Sequence, residues 1–284
     1  MAKPLRLITW NIQWGLGVDG RVDLARIVAD ARAIADFDLL CLQEISDNFG
    51  VLAGNDGANQ FATLAALLPD HAAVEGVAVD RHTPGVGRQR FGNLLFSRLP
   101  VSQVLRHQLP WPAQPEKPTM ARMALEAIVH LPDGPLRVTT THLEVHSVEQ
   151  RAAQLARLRE IQHDASGHAR HRVHAHKEGS PFQSIARSGR GILTGDFNCL
   201  PDEAALAALQ ADQPDGSPVY RDCWPLAHGT IPHPPTADLH AGDTPRCLDY
   251  VLVSSDLSGR VRRVEVDTTT RASDHQPVLL EIET

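Results

Sequence analysis

Aromatic residues make up only 5% of this 284-residue chain. So thin a supply argues against a stacking platform for single-stranded bases. Cysteine is sparse as well. Cys41, Cys199, Cys223 and Cys247 lie far apart with no C-x-x-C pair. That argues against a zinc knuckle and for reduced, buried thiols. There is no apolar run of about eighteen residues, so no segment is expected to span a membrane. Positive charge is short too: the net charge is -7. A protein that depends on generic duplex binding usually carries a basic excess, because phosphate contacts supply most of that affinity. The opening "MAKPLRLITW" lacks the apolar stretch and cleavage site of a secretory signal, so a cytoplasmic location is expected. Neither an internal repeat nor a linker-like break in composition divides the chain, and residues 1–284 read as a single domain.

What is present alternates between strand and helix patterns. "LRLITWNI" and "FDLLCLQEI" read as strands around an amphipathic helix at 22–35, and "QFATLAALL" as a short helix. "GVAVD" and "FGNLLFSR" read as strands on either side of a basic loop at 81–90, and 104–120 as a proline-rich ordered loop. "ARMALEAIVHL" and "PLRVTTTHLEV" alternate like a hairpin around "PDG". "SVEQRAAQLARLREIQHDA" is the clearest helix, with Ser147 as cap and Gln150 three residues on. "GILTGDFN" reads as a strand and "DEAALAALQ" as a helix. "CLDYVLVSS", "RVRRVEVD" and "HQPVLLEIE" then follow as strands. Strands often succeed strands directly, unlike the regular alternation of a doubly wound sheet. The pattern predicts an α/β fold of packed mixed sheets with helices outside.

One glycine pattern invites a different reading. Gly15, Gly17 and Gly20 have G-x-G-x-x-G spacing between a strand and a helix, and Glu44 follows some way on. A dinucleotide site would need the glycines at the strand's end and parallel βαβ units after it. Asn11 and Gln13 intervene, so the glycines read as a turn leading into the helix.

Polar residues end several apolar strands. They are Asn11 in "TWNIQ", Glu44 in "CLQE", His142 in "TTTHLE", Asp196 and Asn198 in "LTGDFN", and Asp274 and His275 in "ASDH". Asp249 stands inside the strand pattern "CLDYVLV". Carboxylates are costly to bury unless paired or bound to metal. Strand ends gathered at one sheet edge can bring such residues into one cleft. Hard oxygen donors with two imidazoles suit magnesium or manganese better than zinc or copper.

In this order the stretches resemble the endonuclease/exonuclease/phosphatase superfamily, which holds deoxyribonuclease-like nucleases, abasic-site endonucleases, neutral sphingomyelinases, inositol polyphosphate phosphatases and deadenylases. The motifs span residues 11 to 275. The resemblance implies a four-layer sandwich of two packed mixed β-sheets flanked by helices. It also implies a metal-dependent hydrolase that cleaves a phosphodiester by in-line attack of water, with Mg2+ or Mn2+ as cofactor. Carried over position by position, Glu44 is the principal metal ligand, Asn11 lies beside it, and Asp274 is at the metal side. Asp196 orients or deprotonates the water, and Asn198 helps position it. His275 and His142 contact the phosphate, and Asp249 orients His275. Arg122 matches a phosphate-binding arginine and Asn93 a recurrent amide. Some abasic-site endonucleases carry an acid where this chain has Gln13, so a second metal ligand from that segment is not expected.

The chemistry stands without the family name. One cation and two imidazoles can neutralise the charge that builds up in displacement at phosphorus, and a nearby carboxylate can take the proton of water. The acidic balance favours a small or lipid-like phosphodiester, or a distorted nucleic acid, over generic duplex DNA. Arg81, Arg88, Arg90 and Arg122 could form a local basic groove that reverses this. The alternatives are a DNA nuclease and a non-catalytic binding protein on the same fold. A monomer is expected. The histidine-rich stretch from His163 to His176 reads as a solvated insertion, and Trp14 as packing close to the metal segment.

Overall fold

The computed structural model describes residues 4–171 and 177–284. Among these, twelve strands form two six-stranded sheets. The first holds β1 (Leu5–Asn11), β2 (Leu39–Asp47), β3 (Ala72–Thr83), β4 (Gly87–Ser97), β11 (Val261–Val266) and β12 (Val278–Ile282), in the order β11-β12-β1-β2-β4-β3. The second holds β5 (Val101–Gln108), β6 (Met123–Leu131), β7 (Gly134–His142), β8 (Gly191–Asp196), β9 (Tyr220–Asp222) and β10 (Asp249–Ser254), in the order β5-β6-β7-β8-β10-β9. Five α-helices accompany them: α1 (Leu24–Ile34), α2 (Gln60–Leu67), α3 (Val148–Ala169), α4 (Ala204–Gln210) and α5 (Cys223–His228).

Three apolar clusters build the layers. Leu7, Cys41 and Leu95 of the first sheet pack against Leu125, Val138 and Val251 of the second, forming the core between sheets. Ile8, Leu40 and Phe96 on the outer face of the first sheet meet Ile27 of α1 and Phe61 and Leu64 of α2. Leu193 and Leu252 on the outer face of the second meet Leu155 and Leu158 of α3 and Leu206 of α4. The result is the expected α/β sandwich. Its inner strands are covered on both faces, which explains the near-continuous apolar runs of β8 and β10. No helix among the described residues is long and apolar enough to cross a membrane.

Two pairings place the candidate site. β1 pairs with β2, and β7 with β8, in parallel. A parallel pair needs a long crossover, supplied by α1 and α3 respectively. Both helices start on side-chain caps: Asp23 accepts the N–H of Arg26, and Ser147 that of Gln150. The carboxyl ends of β1, β2, β7 and β8 therefore emerge as polar tips, and antiparallel β10 begins opposite the end of β8 at Asp249. Gln43 Nε2 donates across the core to Thr140 Oγ1 at 2.9 Å, fastening one sheet to the other beneath that end.

Some local expectations change. Residues 81–90 are not a loop: β3 and β4 continue through them to a turn at Gly85. β3 is an edge strand, so polar residues extend it freely, and Asp80 pairs with Arg88 across the ladder. Likewise "VLRHQ" within 104–120 belongs to β5, an edge strand with little apolar alternation. α3 runs to Ala169, so His163 and His168 lie on a helix rather than in an insertion, while His174 and His176 lie outside the described residues. The three-residue β9 and six-residue α5 were too short to leave a periodic signal.

Candidate active site

The site begins with a distortion of β2. The β2–β4 register passes from Leu42 opposite Leu94 to Ile45 opposite Gly92. Gln43 and Glu44 thus share the single partner Asn93, the mark of a β-bulge. Glu44 takes a φ of 65°, left-handed and costly for a residue with a Cβ. The bulge lets adjacent side chains serve different ends. Gln43 turns into the core toward Thr140, and Glu44 turns toward β1. Asn198, just past β8, has a φ of 51°, and Gln13 and Trp14, just past β1, each have 45°. Such backbone strain tends to gather where a site is built.

Asn11 sits between the two sheets. Its Nδ2 donates to Glu44 Oε1 at 3.1 Å and to Asp196 Oδ2 at 3.0 Å. Asp196 Oδ1 accepts the backbone N–H of Asn198 at 2.9 Å, and Asn198 Nδ2 donates to Leu143 O at 3.0 Å. Two imidazoles face the same carboxylate. His142 Nε2 lies 3.5 Å and His275 Nε2 3.7 Å from Asp196 Oδ2. His142 Nδ1 is 3.9 Å from Glu44 Oε1. His275 turns its other nitrogen, Nδ1, to Asp249 Oδ2 at 2.8 Å. The His275 segment is tied to β1: Trp10 Nε1 donates to His275 O, and Ser273 Oγ to Asn11 O.

Charge is concentrated and buried here. Burial alone would strip the proton from His275, but Asp249 and then Asp196 hold its pKa well above the usual imidazole value. His142 goes the other way, well below it, because burial is reinforced by the positive charges of Arg122 and His275. One ring is thus held cationic and the other neutral. The Glu44 carboxyl is pushed up to about 7, first by burial and then by the neighbouring charge of Asp274, with a smaller push from Asp196. Asp274 is also raised, chiefly by burial.

These values provide a test for a divalent cation. Glu44, Asp196, Asp249 and Asp274 outnumber the nearby cations, and the carboxyl with the high pKa is the one expected to bind metal. Its oxygens, like those of Asn11 and Asp274, are hard donors of the kind a divalent cation such as Mg2+ or Mn2+ takes. Asp196, Asp249 and His275 also bring ligand atoms within 4.8 Å of one another. In that group, however, the Asp249 and His275 atoms already bond to each other, which makes it a hydrogen-bonded dyad facing an acid.

Arg122 is 5% exposed and donates through Nε to Glu144 Oε2 at 3.4 Å, while its Nη1 is buried without a hydrogen-bond partner among the described residues. Asn93 is buried in β4, opposite the bulge. The structure brings Asn11, Glu44, His142, Asp196, Asp249 and His275 into direct contact, with Asn198 bonded to Asp196 and Asp274 beside His275. Arg122 and Asn93 stand behind this group. Each of the four arginines already has a side-chain partner. Arg88 pairs with Asp80, Arg90 with Asp47 and Glu75, Arg122 with Glu144, and Arg81 bonds Gln89. Sequence reasoning gave no role to Glu144, although it stands in the quoted "THLE". It also missed Ser273, although it stands in the quoted "ASDH", and Thr236, which has no motif around it.

The glycines do no cofactor work. The N–H of Gly15 goes to Ile12 O, that of Gly17 to Arg21 O and that of Gly20 to Gly17 O. A Cβ on Gly17 would fall 2.8 Å from Arg26 Cζ. Their backbone donors are spent closing the turn, which leaves none for a pyrophosphate.

Two mixed sheets with a polar cluster at one end define a fold class found among proteins that handle phosphoesters. The chain belongs to the Endonuclease/Exonuclease/phosphatase family, whose model matches residues 8–275. Solved structures agree on the fold. An endonuclease/exonuclease/phosphatase from Beutenbergia cavernae is 24% identical, with a TM-score of 0.65 over 99% of this chain and 72% of that one. The human Nocturnin catalytic domain with bound sulfate anion is 18% identical, with a TM-score of 0.65 over 98% and 93%. A Bacteroides thetaiotaomicron mannosyl-6-phosphatase is 16% identical, with a TM-score of 0.65 over 99% and 100%. No curated protein sequence matches the chain.

Proposed function

We propose that residues 1–284 act as one catalytic domain, a divalent-metal-dependent phosphoesterase that hydrolyses a phosphodiester by in-line attack of water. The observation that carries this reading is the meeting of Asp196 with two oppositely tuned imidazoles, His142 and His275, within 3.7 Å. The sulfate anion in the Nocturnin structure and the phosphatase among the neighbours support a site for a tetrahedral oxyanion.

In this reading Asp196 holds the attacking water and takes its proton. Asn11 and the Asn198 N–H fix the carboxylate in place. The His275 cation contacts a phosphoryl oxygen through Nε2, kept in orientation by Asp249. Neutral His142 donates its one ring N–H to a second phosphoryl oxygen. The free Arg122 Nη1 adds positive charge from behind. Glu44, Asn11 and Asp274 would hold Mg2+ or Mn2+, which when bound supplies Lewis-acid neutralisation of the phosphoryl charge. Cleavage splits the P–O bond to the leaving alcohol, and water supplies the new oxygen.

The pairing of Arg88, Arg90 and Arg122 favours a small or lipid-like phosphodiester, or a distorted nucleic acid, over duplex DNA, since duplex binding needs unpaired cations along the groove. The deciding experiment compares rates on plasmid DNA, abasic oligonucleotide, RNA, sphingomyelin and inositol phosphates, with and without chelator. Turnover lost in chelator and restored by Mg2+ or Mn2+ is expected. Activity that survives the chelator would overturn the metal role, and rapid plasmid nicking at physiological salt would overturn the substrate preference. Tight metal binding without turnover on any substrate would favour the non-catalytic reading.

A further inference from the structure

The Asp249 carboxylate is fully buried, yet its two oxygens differ sharply. Oδ2 accepts from His275 Nδ1 at 2.8 Å and from Thr236 Oγ1 at 2.7 Å. Oδ1 has no hydrogen-bond partner among the described residues. Only one oxygen is therefore fixed by protein donors, and half of that fixing comes from a threonine hydroxyl. A buried carboxylate held by one bond alone could rotate and carry the imidazole with it.

Thr236 is itself unusually constrained. It is 1% exposed, and its Oγ1 also accepts the backbone N–H of Leu248 at 3.0 Å and of Asp249 at 2.9 Å. With two acceptor positions filled by N–H groups, the hydroxyl proton can only point outward, and it points to Asp249 Oδ2. The backbone of Thr236 is pinned as well. Its N–H goes to Arg246 O, and its carbonyl accepts the N–H of Gln276 at 2.6 Å, the residue after His275. Upstream, His233 Nε2 bonds Asp222 Oδ2 at 2.7 Å and anchors the segment to β9. Ala237 bridges both Arg246 and His275. Residues 233–237 thus form a strap that joins β9, the start of β10 and the His275 segment.

We propose that Thr236 is a positioning residue for the Asp249–His275 pair. Its hydroxyl fixes the rotation of the Asp249 carboxylate, and through it the orientation of the His275 ring toward Asp196. The kinetic consequence rests on the phosphoesterase reading, whereas the effect on the His275 ring does not.

Thr236→Val keeps the shape and removes the hydroxyl, Thr236→Ser keeps the hydroxyl and removes the methyl, and Thr236→Ala provides a smaller deletion if valine does not fold. Hydroxyl deletion is expected to lower kcat about tenfold or more with KM within about twofold, and serine to recover kcat to within about threefold of the parent. Long-range proton–nitrogen correlations of the ring read His275 directly in the Mg2+-containing protein. The parent and Thr236→Ser are expected to keep one sharp Nδ1-protonated signal set, and the deletion variants to shift or broaden it. An unchanged ring spectrum in a folded deletion variant overturns the proposal. So does serine as impaired as valine, which would assign the effect to packing. If no phosphoester is turned over, the function reading fails, and the ring spectra alone still decide the role of Thr236.

Discussion

Asn11 and Asp196 come from different sheets, and one side-chain hydrogen bond of 3.0 Å joins them. The same Asn11 amide nitrogen reaches Glu44 at 3.1 Å. A single residue therefore couples the carboxylate assigned to metal with the carboxylate assigned to water. This predicts a division among variants. Asp196→Ala and His275→Ala should lower turnover at least about a hundredfold, or roughly 2.7 kcal/mol, with metal affinity largely kept. Glu44→Ala should mainly weaken metal affinity, and Asn11→Ala should impair both. Calorimetric metal titration beside steady-state kinetics measures the split. Loss of metal by Asp196→Ala, with its rate kept at saturating metal, would reverse the assigned roles.

Arg122 and Glu144 form a second pair, 5% and 0% exposed. Glu144 also accepts the N–H of His146 through its other oxygen. Removing one partner of a buried pair strands the other charge. Glu144→Gln is expected to destabilise the fold by about 3 kcal/mol in urea unfolding. A loss below about 1 kcal/mol would mean that water reaches the guanidinium.

Glu126 gives a pH prediction outside the candidate site. Burial pushes its carboxyl upward, but the His107 contact and the charges of Arg137 and Arg187 overcome this and hold it down to about 2. Arg137 Nε is 3.2 Å and Arg187 Nη2 2.9 Å from its oxygens. An unfolded glutamate takes up its proton near pH 4.5. A depressed pKa stabilises above that value, and the stability is lost as pH falls toward 2. The full contribution is about 3 kcal/mol. Between pH 5 and pH 3 the parent should therefore lose more stability than Glu126→Gln, measured by denaturant unfolding at each pH. Parallel losses in the two proteins would contradict the shift.

All four cysteines are buried, and burial raises their thiol pKa values, that of Cys247 to about 12. The thiolate is the reactive form. Under native conditions at pH 8 a thiol-specific reagent should label the chain only as fast as it opens, and all four sites should react at once in denaturant. Rapid labelling of one native cysteine would show that its pocket opens to solvent.

The amino-acid sequence by itself determined the class of fold and the chemical types of the site. Apolar runs of strand length fix buried strands, Ser147 fixes a helix start, and polar residues at strand ends have no reason to sit there unless the ends converge. These signals are local, and local signals survive in one dimension. The tertiary structure decided which of those residues meet. The bulge that turns Glu44 toward Asn11 depends on β4 pairing across from it, and no residue in "CLQE" announces it. The opposite tuning of His142 and His275 depends on Arg122 and Asp249, distant in sequence and adjacent only after two sheets pack. The hairpin end of edge strand β3 and its partner β4 at 81–90, and edge strand β5 at 101–108, were hidden because strand positions at the margin of a sheet tolerate polar side chains on both faces. Thr236 was invisible for the same kind of reason: a hydroxyl becomes specific only when distant groups close around it, here the backbone N–H groups of Leu248 and Asp249 and the Asp249 carboxylate at the start of β10.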